Sequence, residues 1–407
     1  MQQQLVERFF RYLAISSQSN AAVAGVPSSD GQWQMAQLLA EELKQLGLSK
    51  VEIDQHANVT ALLPGSVPNA TPIGFVAHMD TVDVALSPAI SPQIRVFDGA
   101  DILLNEQHNI WLKVAEHPEI QAYLGQEIIF SDGTSVLGAD NKAAIANIMT
   151  ALSLIRQRNI ATGDIYIAFV PDEEIGLRGA KLLDLSRFKP DFAYTIDCCE
   201  LGEVVYENFN AAAAKIVING ISAHPMSAKG VMVNPILVAH DLISQFDRQQ
   251  TPECTEQKEG YWWFNQFEAN QSRAELQIAI RDFDQRAFER RKAFITQAVE
   301  KTKRQYPQIT IACTINDIYG NIANTLSDDR RSIDLLFSAM QQLGIAAKVT
   351  PMRGGTDGAA LSVKGITTPN YFTGAHNFHS KFEFLPLPSF VKSCELTLQL
   401  IKQAAGG

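Results

Sequence analysis

The chain has 407 residues, 46% of them hydrophobic and 19% charged, with a formal net charge of −10, an ordinary globular composition with volume for more than one domain. The acidic balance and the lack of a basic stripe argue against a nucleic-acid partner, and no run approaches the ~20 apolar residues of a bilayer span, so no membrane partner is expected. Five cysteines without framework spacing point to a reducing compartment, which makes a cytoplasmic location the expectation.

Residues 1–13 mix charge with apolar residues at helical spacing and show neither an h-region nor a cleavage site, so they predict a docked helix rather than a signal peptide. Trp33, Met35, Leu38, Leu39, Leu43 and Leu46 keep the three-and-four spacing of an amphipathic helix. The apolar run 73–77 then leads straight into His78-Met79-Asp80. Residues 82–127, with prolines at 88 and 92 and poor periodicity, predict an irregular excursion. Gly138-Ala139-Asp140-Asn141-Lys142 opens a second amphipathic helix bearing Ile145, Ile148, Met149, Leu152 and Ile155, and Asp140 sits where an N-cap would. The apolar run 165–170 ends in Pro171-Asp172-Glu173-Glu174, the run 192–196 in Asp197, and Tyr371-Phe372, after a short loop, in His379. Strands alternating with helices predict an α/β fold.

Between Asn208 and Asn321 the pattern changes. Strands are predicted at 213–218, 261–264, 275–280 and 309–313, with helices near 235–249 and 284–304, which describes an inserted α+β domain of four strands and two helices. Candidate ligands lie on both sides of this insert. The flanks 1–208 and 322–407 are therefore expected to form one discontinuous domain around an insert at 209–321.

An acidic pair such as Glu173-Glu174 is commonly solvated surface. Here, however, four separate runs deliver His78, Glu174, Asp197 and His379 just past strands, where open α/β sheets collect ligands and metals. With Asp140 the set is two imidazoles and three carboxylates, which suits zinc, cobalt or manganese. Five donors are too many for one open tetrahedral zinc, but they divide between two ions if Asp140 bridges. Asp80, two residues past His78, can hold the other imidazole nitrogen. Glu173 is left to move the proton as general base.

These residues resemble the five-part signature of the M20 co-catalytic zinc metallopeptidases, and most closely its tripeptide aminopeptidases. Glu207-Asn208-Phe209-Asn210, Lys229-Gly230-Val231-Met232-Val233-Asn234, Arg281-Asp282-Phe283-Asp284 and Arg353-Gly354-Gly355-Thr356-Asp357-Gly358 extend the resemblance over essentially the whole chain. Two places depart from it: Asn141 stands where that branch has a second Asp, and Cys198-Cys199 replaces a glycine-rich stretch. The resemblance implies a mixed-sheet zinc exopeptidase domain with an α+β lid, two Zn2+ per subunit with Co2+ or Mn2+ as substitutes, and a homodimer through the lid. It also decides between His379 and the neighbouring His376. A lone histidine is more often structural, but His224 in Ser222-Ala223-His224-Pro225 matches the family's lid histidine, an expected oxyanion donor. Arg281 and Arg353 are expected to grip a peptide carboxylate, Asn234 to hold substrate backbone, and Gly355 to allow its close approach. His56, His108, His117 and His240 fall outside any pattern.

The expected substrate is a short peptide with a free amino terminus, cleaved by the metal-bridging water with Glu173 as base; the tripeptide preference rests on the resemblance. Within the same family, a dipeptidase or an N-acyl amino acid deacylase uses the same constellation. A metal-dependent peptide-binding protein without turnover is the alternative of another class, and the intact Glu173 with all five donors argues against it.

Overall fold

The strand Ile73–His78 is buried at every position, as a strand covered on both faces must be. It runs parallel to Ile165–Val170 on one side and to Phe192–Cys198 on the other, and Asn370–Phe372 continues the parallel set. Val59–Leu63 joins antiparallel, so the eight-stranded sheet is mixed, in the order 49–53, 59–63, 165–170, 73–78, 192–198, 370–372, 203–205, 348–349. Four parallel strands end at one edge of this sheet, and that edge receives His78, the 171–174 turn, Asp197 and the loop after Phe372.

This computed structural model describes residues 1–327 and 329–406, in two compact units. The sheet belongs to the first, made of Met1–Tyr206, Thr325–Thr350 and residues from Thr356 onward. Its central helix, Ala139–Arg158, is buried on every face through Ile155, because it lies against the sheet and between the helices Gln2–Leu13 and Leu387–Ala404. Ile145, Ile148 and Leu152 are each at most 1% exposed, and each such burial contributes about 1.5–3 kcal/mol. No helix among the described residues is long and apolar enough to cross a membrane.

The excursion predicted at 82–127 is more regular than its sequence. Pro92–Val96 and Phe384–Pro386 pair antiparallel with Glu127–Ser131, and Ile102–Asn105 forms a hairpin with Ile110–Leu112. Phe97, Ile102, Leu104, Leu112, Ile120, Ile128, Phe130 and Phe384 form the core beneath them. Strands of three to five residues are too short for a period-two pattern to register.

The second unit comprises Glu207–Asn324 with Pro351–Gly355. Its four strands, in the order Tyr261–Ala269, Arg273–Asp282, Asn210–Asn219, Thr310–Tyr319, are all antiparallel. The helices Pro235–Ile243 and Gln285–Gln305 cover the face onto which Ile216, Ile218, Leu276, Ile278 and Ile280 point. Three buried asparagines close the ends of the unit: Asn208 N donates to Asn321 Oδ1 at 3.0 Å, Asn321 N to Asn210 Oδ1 at 2.9 Å, and Ile322 N to Asn208 Oδ1 at 2.9 Å. Residues 351–355, which the sequence leaves in the flanking domain, group with this unit, where Met352 N donates to Glu207 O at 2.9 Å.

Gly74 tests the packing of the central strand. A Cβ there would lie 2.7 Å from a Phe188 ring carbon, 2.8 Å from Pro190 Cγ and 3.0 Å from Ala193 Cβ. Overpacking of this kind costs about 1–3 kcal/mol, so Gly74→Ala is expected to lower the urea midpoint of unfolding. An unshifted midpoint would show that the strand yields.

Candidate active site

His78 ends its strand with a side chain 2% exposed. Its Nε2 lies 2.9 Å from Asp140 Oδ1 and 3.8 Å from Asp197 Oδ1. Its Nδ1 lies 3.1 Å from the Asp80 carbonyl and 3.3 Å from Asp80 Oδ1. Asp80 is fully buried, and its two oxygens accept from the amides of Glu173 and Glu174 at 3.0 and 3.2 Å. One carboxylate thus orients an imidazole and the turn bearing both glutamates.

Asp140 does not cap its helix. Gly138, at φ +76°, turns the chain, and Asp140 (φ −80°, ψ 99°) and Asn141 (φ −123°, ψ 21°) keep non-helical angles, which frees the carboxylate to face the sheet edge. Its second oxygen lies 3.0 Å from His379 Nε2, which is also 3.0 Å from Glu174 Oε1. Two groups close enough to hold an ion result, His78–Asp140–Asp197 and Asp140–Glu174–His379, with Asp140 common to both. A third, His78–Glu173–Glu174, brings Glu173 to the same place.

The electrostatics follow from this crowding. Burial pushes the Glu174 carboxyl up to about 8, helped by the charge of Asp140 and opposed by its bond with His379. Burial likewise lifts Asp197 to about 6 and Glu173 well above the usual range. Hydrogen bonds with Asp140 and Glu174 carry His379 up to about 11. Burial would lower His78, but its bonds with Asp140, Asp197 and Asp80 outweigh that and raise it. Burial raises Asp140, and the bonds from His379 and His78 override it and hold it low. In the absence of cations, protons supply the countercharge. Imidazole and carboxylate donors in this number fit a pair of divalent ions.

His376 is turned away from the cluster: its ring stacks on Phe384 at 4.8 Å and its Nε2 meets Tyr123 Oη at 2.6 Å. Cys198 and Cys199 are unpaired, burial raises both thiols, and neither enters a metal-capable group among the described residues.

The substrate-side residues expected from sequence all lie in the second unit. His224 is exposed, and its Nδ1 accepts from Met226 N at 3.2 Å, so the neutral ring carries its proton on Nε2. Asn234 Oδ1 caps the helix Pro235–Ile243 through Ile236 N. Arg281 Nη1 donates to the carbonyls of Ala212 and Ile280, and its guanidinium stands 5.6 Å from the Tyr319 ring centre. Arg353 donates to the carbonyls of Gln257 and Glu259 and to Thr255 Oγ1, between the rings of Phe209 and Tyr261. Gly355 faces the Tyr319 ring, 2.6 Å from where a Cβ would stand, so packing alone requires glycine there.

Sequence reasoning assigned no role to four residues at the cluster. Asn141 Nδ2 donates to Asp197 Oδ1 and to Ile196 O, both at 2.8 Å. Glu383, buried at 1% exposure, accepts from the amides of Gly138 and Asp140. Asp172 is fully buried behind the two glutamates. Asp357 is buried with Oδ1 lacking a hydrogen-bond partner, and burial raises its carboxyl to about 8. The run Asp172-Glu173-Glu174 and the doublet Gly354-Gly355 before Asp357 were visible signals; nothing marked Glu383.

Residues 138–403 match the model of peptidase family M20/M25/M40, and the chain belongs to that family. Among its relatives, a peptidase T-like protein of Yersinia pestis is 61% identical over 405 residues, covering 100% of this chain and 98% of the relative. Peptidase T of Clostridium novyi is 43% identical over 401 residues, 98% of each chain. Of the solved structures, aminopeptidase PepT of Bacillus cereus superposes with a TM-score of 0.78 at 24% identity, over 100% of this chain and 99% of that one. A tripeptidase of Staphylococcus aureus superposes at 0.76 with 23% identity, over 100% and 99%.

A cation and a proton compete for the same lone pairs. Below about pH 8 Glu174 holds a proton that an incoming ion must displace, and His379 holds one to about 11. Zinc affinity is therefore expected to rise with pH, and more protons should leave per ion at about pH 6.5 than at about pH 9. Calorimetric titration in buffers of different ionisation enthalpy reads that number directly; a pH-independent count would contradict it.

Proposed function

We propose that the chain is a zinc-dependent aminopeptidase that releases the N-terminal residue of tripeptides at the Asp140-centred cluster. The observation that carries this reading is the division of five donors into two triads sharing one carboxylate, with Glu173 beside them. The peptidase T relatives and the tripeptidase neighbour support the substrate class. Zinc is our choice of ion on the two-imidazole, three-carboxylate set, with cobalt or manganese as substitutes.

His78, Asp140 and Asp197, with Glu174 and His379, would hold a pair of divalent ions, whose chemistry would be to polarise a carbonyl and acidify water. Glu173 takes the proton of the attacking water as the new C–O bond forms, and passes it to the amine nitrogen as the C–N bond breaks. Asp80 keeps the Glu173 turn and the His78 ring in register throughout. We assign the oxyanion donor to His224, whose Nε2 carries the proton, and the grip on the far carboxylate to Arg281. Arg353, which donates to the 255–259 turn, is assigned to hold that segment, with N–H groups left over for the same carboxylate. Pairing of two copies through the second unit is supported by Trp263 and Phe267, 51% and 48% exposed on the edge strand Tyr261–Ala269. Cytoplasmic residence is supported by five unpaired cysteines.

The zinc-loaded protein is expected to cleave an unblocked tripeptide and to spare its N-acetylated form, a dipeptide and a tetrapeptide. Glu173→Gln should lower kcat by about 10²–10⁴ with both ions retained, read by metal analysis beside the kinetics. Cleavage of the acetylated peptide would move the reading to a deacylase.

Arg281→Ala should raise KM for the tripeptide with little change in kcat or metal content, the signature of lost uniform binding. An unchanged KM would remove Arg281 from the grip.

A further inference from the structure

We propose that Glu383 is a positioning residue of the cluster: its carboxylate clips the loop carrying His379 to the backbone amides around Asp140, and so sets the spacing of those two donors. This inference rests on the cation-binding reading above.

Glu383 is 1% exposed. Its Oε2 accepts from Gly138 N at 2.8 Å and its Oε1 from Asp140 N at 3.2 Å, and the Leu137 amide also bonds to it. Both oxygens are therefore spent on one short stretch of backbone. That stretch needs an outside acceptor, because the first amides of a helix have no carbonyl of their own, and the non-helical angles at Asp140 and Asn141 extend the gap. The carboxylate works there as a three-donor nest turned inside out: backbone N–H groups converge on the two oxygens of a carboxyl group supplied by another loop.

The other end of the clip is equally fixed. His376 and Phe384 exchange backbone hydrogen bonds at 2.9 and 3.2 Å, closing the loop 376–384, and Phe384–Pro386 is anchored as a strand against Glu127–Ser131. Within the loop, Asn377 Nδ2 donates to Phe382 O and to Glu119 Oε1, and Glu383 N donates to Ser380 O at 3.1 Å. His379 sits at φ +61°, a backbone state that a non-glycine residue holds only when its surroundings impose it. With Glu383 bound to the Asp140 amide, the His379 ring and the Asp140 carboxylate meet at 3.0 Å. Release of that bond leaves the His379 loop tied to its own strand but no longer to Asp140.

A glutamine is the same size and cannot do the same work. Two backbone donors meet two different oxygens of Glu383, and an amide must turn its own NH2 against one of them. An aspartate keeps the carboxyl group and both acceptors with a shorter reach.

The test compares wild type, Glu383→Gln and Glu383→Asp, each stripped of metal and titrated with zinc against a chelator buffer, with bound zinc counted by metal analysis and tripeptide kinetics measured at limiting and saturating zinc. We expect zinc affinity at one of the two ions to fall about 10- to 100-fold in Glu383→Gln, KM for the tripeptide to stay at the wild-type value, activity to recover at saturating zinc, and Glu383→Asp to lie between. Wild-type affinity in Glu383→Gln, with two zinc ions bound by the wild type, overturns the inference and leaves the cluster reading standing. A wild type that binds no zinc overturns both. Should Glu383→Gln fail to fold, Glu383→Asp decides: weakened affinity supports the clip, and wild-type affinity overturns it.

Discussion

The constraint on which the rest of the structure depends is the concentration of negative charge at one edge of the sheet. Asp80, Asp140, Glu173, Glu174 and Asp197 converge there with His78 and His379. Burial disfavours the ionised form of each group and the neighbouring like charges add to that, so the carboxyls of Glu173, Glu174 and Asp197 are raised. Protons on the histidines relieve part of the repulsion. Divalent ions at the two triads, which share Asp140, would relieve much of the rest.

Holding such a cluster in place falls to residues that touch no ion. Asp172 illustrates how: its Oδ1 accepts from Ser28 N, Ser28 Oγ and Gln32 Nε2, while its own amide donates to Gln32 Oε1. The residue is held at φ +56°, which turns the following Glu173 and Glu174 towards Asp80. The three consecutive acids are thus placed differently: Asp172 anchors the turn, while Glu173 and Glu174 reach the metal-capable groups. Asn141 does for Asp197 what Asp80 does for His78, directing a donor through a hydrogen bond from outside the triads.

The second unit is organised by different forces. Its core is an ordinary amphipathic sheet under two capped helices, and its asparagine lacing binds entry and exit of the chain into one closure. Asn234 caps its helix and Arg353 braces the 255–259 turn, so local structure fixes where both side chains stand. The 351–355 segment reaches this unit from a chain position well outside it because Met352 pairs with Glu207 and Arg353 with the 255–259 turn.

The sequence by itself determined the α/β class, the inserted four-stranded unit and the residues that end the parallel strands, because apolar runs followed by His, Asp or Glu are local patterns that survive without coordinates. It also carried the family, through motifs spread over nearly the whole chain. Only the tertiary structure decided which oxygen of Asp140 faces which triad, that His376 turns to Tyr123, that the 82–127 region has a sheet and core of its own, and that Glu383 joins the His379 loop to the Asp140 amides. Each of these depends on contacts between residues tens to hundreds of positions apart. Nothing in the composition or periodicity of one segment records what another will place against it, and a lone glutamate in an aromatic run reads as surface until the fold buries it.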